Sequence, residues 1–122
     1  MKSVIKSITT FSALAAILGA MSFSPVLAAD EKSVMEAGKA LSFDRKKGNC
    51  LACHAIKDGV SPGNIGPPLI YMSARYKTKE ALRAQIYDAT VANPDTLMPP
   101  FGKHGALSDA EISKIVEFIY SL

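Results

Sequence analysis

An all-α domain is the fold class this sequence predicts, and three observations predict it. Apolar residues recur at helical spacing in Glu31 to Phe43, Thr78 to Val91 and Ser108 to Leu122. No stretch alternates convincingly with a period of two. Glycine and proline concentrate between Gly59 and Pro68 and between Pro94 and Gly105, which marks two long ordered loops between the helices.

Ahead of the first helix lies a segment with a different grammar. Lys2 and Lys6 precede an apolar run from Phe11 to Met21, and Pro25, Val26, Leu27, Ala28 and Ala29 follow. That order is the signature of a secretory leader. The run, interrupted by Ser12 and Gly19, falls short of the roughly 20 apolar residues a membrane span requires. The expectation is a leader of residues 1–28, cut after Ala28 with Ala29 as the alternative, and an exported domain of residues 29–122 with no stable membrane insertion. Lys2 and Lys6 leave with the leader while all 11 acidic residues stay, so the formal charge of +3 falls to +1. A near-neutral domain lacks the broad positive footprint of nucleic-acid binders, and that class is set aside.

The first helix, Glu31 to Phe43, carries Met35. The second starts near Thr78, shows Ala81, Leu82, Ile86 and Ala89 on one side, and must stop before Asn93 and Pro94. The last has the clearest start: Ser108 can cap the backbone, Glu111 completes a capping box, and Leu107 can staple onto Ile112. Its apolar face is Ile112, Ile115, Val116 and Ile119. Loops as long as the two that remain, in so small a domain, usually wrap something or do something.

The chemistry concentrates in Cys50, Leu51, Ala52, Cys53 and His54, the C-x-x-C-H pattern of haem attachment. If the segment is helical, residues three apart share a face, so both thiols reach the two vinyl groups of one porphyrin edge as thioethers, and His54 projects toward the iron. A single disulfide across two intervening residues would close too small a loop to staple a domain. A thioredoxin-like dithiol is expected beside a strand-helix-strand pattern that is missing here. A zinc site is numerically possible with Cys50, Cys53, His54 and His104, but adjacent helical residues such as Cys53 and His54 diverge by about 100° and would struggle to meet one metal with Cys50.

Four residues are candidates for a second axial ligand: Met35, Met72, Met98 and His104. Met98 is the strongest, because Pro99 and Pro100 follow it and restrict the backbone that would carry its thioether. Met35 and Met72 read as packing residues, whereas His104, on the same loop as Met98, stays open. A His/Met pair would raise the reduction potential relative to a bis-histidine site, and a filled sixth position argues against a peroxidase-like haem enzyme. Arg45, Lys46 and Lys47 form a basic run before the motif, read as a solvated loop first and as a docking patch for a redox partner second.

With the motif, the run Gly66, Pro67, Pro68, Leu69, the late-loop Met98 and the closing helix with Phe118, the chain resembles the class I cytochromes c across essentially its whole exported part. The resemblance implies three to four helices packed around one covalently bound haem c, held by Cys50 and Cys53 with His54 and Met98 on the iron. It also implies that the Pro67 carbonyl receives a hydrogen bond from His54, which would orient the ring. The strings DRKKGNCLACH, PGNIGPPL, NPDTLMPPFGKH and LSDAEISKIVEFIYSL further resemble the SoxX family, the monohaem subunits of the SoxAX cytochrome complexes of bacterial sulfur oxidation. That likeness implies a periplasmic heterodimer in which a larger, SoxA-like subunit joins thiosulfate to a cysteine of a sulfur-carrier protein and this chain accepts the electrons. The carrier protein and a downstream acceptor would meet it transiently. No residue of this chain is expected to be catalytic, because both cysteines are consumed by the haem. The alternative is a freely diffusing carrier of electrons to a terminal oxidase.

Overall fold

The computed structural model describes residues 26–122 and is all-helical, without a strand among the described residues. Most of the expected leader, residues 1–25, lies outside them, and the expected cleavage positions fall in the first turn of the first helix. Four α-helices follow in order: α1 (Val26–Phe43), α2 (Met72–Arg75), α3 (Lys79–Tyr87) and α4 (Asp109–Tyr120). Two 3₁₀ turns, Cys50–Ala52 and Ala89–Val91, sit in the connections. No helix among the described residues is long and apolar enough to cross a membrane.

The centre of the fold is α4. Its start is the capping box expected from Ser108 and Glu111, with the Ser108 side chain accepting from the Glu111 amide and the Glu111 carboxylate accepting from the Ser108 amide. Ile112, Ile115, Val116, Phe118 and Ile119 are buried along it, and Leu107 joins the same cluster from just outside the helix. Five buried apolar side chains at helical spacing, each contributing about 1.5–3 kcal/mol on leaving water, make this face the main source of stability. α1 crosses α4 at Gly38, where a Cβ would collide with the backbone carbonyl of Lys114, so only glycine allows the approach. Beyond the crossing, Phe43 meets Phe118 edge to face, with ring centroids 6.1 Å apart.

α3 packs Leu82 and Ile86 against the same core. Thr78 caps it by accepting from the Ala81 amide at 3.2 Å. Arg83 ties it to the start of α4 through Asp109 and Ser113, and Lys79 pairs with Glu117 farther along. The helix ends at Tyr87, short of the expected Val91. At Asp88 the backbone turns extended (φ −150°, ψ 90°), and the Asp88 carboxylate accepts from the Thr90 amide instead, starting a separate 3₁₀ turn. An aspartate offering its own oxygen to nearby amides competes with helix continuation. Ala89 is nonetheless buried, so the apolar side read from the sequence holds through the break, except that Ala81 is exposed. The four-residue α2 was not expected. It places Met72 in the core and closes on the last residue of the chain, with the Met72 amide donating to the Leu122 carbonyl at 2.9 Å.

Candidate functional site

A short turn, residues 44–49, joins the end of α1 to the cysteine motif. Asn49 adopts a left-handed conformation (φ 45°), which asparagine tolerates better than most residues, and turns the chain into Cys50–Ala52. The motif then coils tightly: the amides of Cys53 and His54 both donate to the Cys50 carbonyl, at 3.2 and 2.9 Å. In a 3₁₀ turn residues three apart eclipse each other, so Cys50 and Cys53 are presented to the same side. Both are unbridged. Burial pushes the Cys50 thiol up to about 11, so at neutral pH it is protonated and a poor nucleophile or metal ligand. Among the described residues, no three His, Cys, Asp or Glu side chains converge as a closed zinc site would need.

His54 is held from one side. Its Nδ1 lies 2.7 Å from the Pro67 carbonyl oxygen. A carbonyl can only accept, so Nδ1 is the donor, and in the neutral ring Nε2 keeps its lone pair. Gly66 lies flat on the imidazole, where a Cβ would run into the ring. The Gly66 amide donates to the Cys53 carbonyl and the Leu69 amide to the Ala55 carbonyl, at 2.8 and 2.9 Å, which ties the glycine-proline loop to the motif. Arg75, from α2, adds a donor to the Pro68 carbonyl at 2.9 Å and reaches the Met72 sulfur at 3.4 Å. Sequence reasoning did not single out Arg75, whose partners lie on the neighbouring loop.

These elements surround a cavity of about 600 Å³. Cys50, Cys53, His54, Pro67 and Met98 all line it, with Leu82, Ile86, Ile115 and Ile119 as its apolar floor. Of the four candidates for a second iron ligand, Met72 and Met98 face the cavity, while Met35 and the exposed His104 do not. Met72 is buried in the core, and Met98 is half-buried with its amide bonded to the Thr96 hydroxyl at 3.1 Å. Arg45 and Lys47 stand at the edge of the cavity, Lys47 with its charge paired to Glu111 at 2.7 Å. Exposed Ile65 and Leu97 complete the rim.

The residues present fit a haem. The cavity is within the usual size of ligand sites, about 300–1,000 Å³, and combines an apolar floor with a few convergent polar groups. Two thiols on one side of a single turn, an imidazole with a fixed proton and a thioether are the donor set such a group requires.

A family model for cytochrome c oxidase, cbb3-type, subunit III matches residues 35–119. The chain belongs to that family of c-type cytochromes. Haem c is accordingly its cofactor. The cytochrome is also similar to the crystal structure of SoxXA from P. pantotrophus, with a TM-score of 0.64 and 28% sequence identity over 70% of this chain and 79% of that one. An uncharacterized lipoprotein of Aquifex aeolicus (strain VF5) is 36% identical over 76 residues, which are 62% of this cytochrome and 37% of that protein. The cytochrome thus spans little more than a third of that relative's length.

Proposed function

We propose that the chain is a monohaem c-type cytochrome in which Cys50 and Cys53 hold one haem covalently and His54 and Met98 are its axial ligands. In this reading it is the electron-accepting subunit of an exported, periplasmic thiosulfate-oxidising complex, paired with a larger SoxA-like subunit. The observation that carries the haem assignment is the convergence of Cys50, Cys53, His54 and Met98 on one apolar cavity. The likeness to SoxXA supports the complex. The leader-like residues 1–28 and the lipoprotein name of the Aquifex relative support export.

When bound, haem supplies a one-electron couple between ferric and ferrous iron. The protein's own residues set the conditions for it. The Pro67 carbonyl holds the His54 proton at Nδ1, which strengthens the other nitrogen as a ligand. Pro99 and Pro100 restrict the backbone after Met98, and a thioether favours the reduced metal, which raises the potential. The apolar floor of Leu82, Ile86, Ile115 and Ile119 gives the cavity a non-polar lining on that side. Joining thiosulfate to a carrier cysteine releases two electrons and a proton, and that chemistry is assigned to the larger subunit, since thioether bonds leave this chain no free thiol.

A second reading, a diffusible carrier of electrons to a terminal oxidase, is favoured by the oxidase name of the matching family. One experiment separates the two. The protein is isolated with whatever accompanies it, its mass and spectrum are taken, and purified components are mixed anaerobically. Haem reduction that requires the larger subunit, the carrier protein and thiosulfate together supports the complex. Isolation as a monomer that is reduced independently of them supports the carrier.

A further inference from the structure

We propose that Asp88 and Lys103, with the Tyr87 backbone, form a latch that positions the Met98 loop over the haem cavity, an inference that rests on the reading of Met98 as the distal ligand. The latch joins the end of α3 to the far end of the Met98 loop, 15 positions along the chain. Asp88 is only 9% exposed, and both of its oxygens are used. One accepts from the Thr90 amide and hydroxyl, at 3.1 and 2.5 Å, and the other faces the Lys103 ammonium at 2.8 Å. The Tyr87 carbonyl accepts from the amides of Gly102 and Lys103, at 3.1 and 3.2 Å. Gly102 lies so close to the Tyr87 ring that a Cβ would collide with it.

Rigidity makes this arrangement more than a surface ion pair. At the other end of the same loop the Asn93 amide donates to the Ala89 carbonyl at 3.1 Å. Residues 93–103 are therefore a strap with both ends fastened to the last residues of α3 and the turn after it, and Met98 lies midway. Pro99 and Pro100 transmit the anchoring, because a stiff segment held at Gly102 and Lys103 cannot shift without carrying Met98. α3 in turn is fixed by Leu82 and Ile86 in the core. Asp88 and Lys103 are positioning residues. They set where the thioether sits without touching the cavity, since neither lines it.

The test uses the haem-loaded protein and reads the sulfur-to-iron charge-transfer absorption of the oxidised form, together with the rate at which imidazole displaces the distal ligand. Asp88→Asn and Lys103→Gln are each expected to speed displacement about tenfold, as expected for loss of one partner of a partly buried charged hydrogen bond. The double variant should be no faster than the more affected single variant. Lys103→Arg, which keeps the charge, should restore slow displacement. Lys103 is exposed, so its replacement leaves folding intact and keeps the test meaningful if Asp88→Asn folds poorly. Met98→Ala is run beside them. Should it keep the charge-transfer absorption, the ligand reading fails and the latch with it. Should it lose the absorption while Lys103→Gln exchanges imidazole at the wild-type rate, the ligand stands and the latch is overturned.

Discussion

Glu111 shows how much one side chain can hold in this domain. One carboxylate oxygen takes the Ser108 amide and hydroxyl at the start of α4, and the other pairs with Lys47, just ahead of the cysteine motif. Lys47 and then the Ser108 donors hold its carboxyl down from 4.5 to about 2. In the unfolded chain it titrates near its ordinary value. Between that value and about 2 the unfolded state therefore binds more protons, and stability rises with pH. The contribution is fully present above the ordinary value and is lost as pH falls toward 2. Urea unfolding of Glu111→Gln across this range should show a flatter acid limb than the parent, and an identical limb would refute the assignment. Met98→Ala should leave the haem attached, open the distal position to water or added ligands and lower the potential, whereas His104→Ala should change neither. Spectra with and without imidazole check both. The cysteine motif was legible in the sequence because its chemistry is local, five consecutive residues of which three are rare. The Asp88–Lys103 pair was not, because nothing in either residue's neighbourhood announces a partner 15 positions away.

Among the elements, legibility followed pattern more than length: α1, the longest, was read from Glu31, five residues after its start at Val26. α4 was readable to within two residues, since a capping box and four apolar positions at helical spacing agree. α3 was read too long because Leu82, Ile86 and Ala89 keep one apolar side across the break, and burial continues where the helix does not. α2 has only four residues, too few to leave a period, and is held by Met72 and its bond to Leu122. The crossing of α1 and α4 is tightest at one residue. Gly38→Ala puts a methyl group against a backbone carbonyl that cannot rotate away, and should cost about 1–3 kcal/mol of stability. Thermal unfolding measures it, and a melting point equal to the parent's would show that the helices can slide apart freely. Gly66→Ala acts on the site instead: its methyl would push the His54 ring, so the absorption spectrum should change more than the melting temperature.

At the scale of the whole molecule, the cavity occupies the place where a small domain would otherwise keep its core. Its floor is made of the same α3 and α4 residues that form the apolar cluster. A domain of this size has little apolar surface to spare, so the haem is expected to complete the core as well as to carry the electron. Cys50→Ala or Cys53→Ala should therefore yield little compact protein, and full recovery of folded, colourless protein would contradict this. The intact mass of the parent should correspond to residues 29 or 30 to 122 plus one haem. In the proposed complex the larger subunit would bind the face near Cys50, Cys53 and the loop around Met98, where the exposed side chains of Ile65 and Leu97 offer apolar contact.

The contact between Gly38 and Lys114 also bears on how the chain reaches its native state. It brings together residues 76 positions apart, with Cys50, Cys53, His54, Pro67 and Met98 all threaded between them. The helices themselves are local structure that forms quickly, so the step left over is the closure of this loop, whose entropic cost grows slowly with its length. Haem attached at Cys50 and Cys53 and bound at Met98 would draw the middle of that loop together first and shorten the remaining search. Refolding of the haem-loaded chain should then be limited by the meeting of its first and last helices, and Gly38 would set the speed of folding as well as its depth.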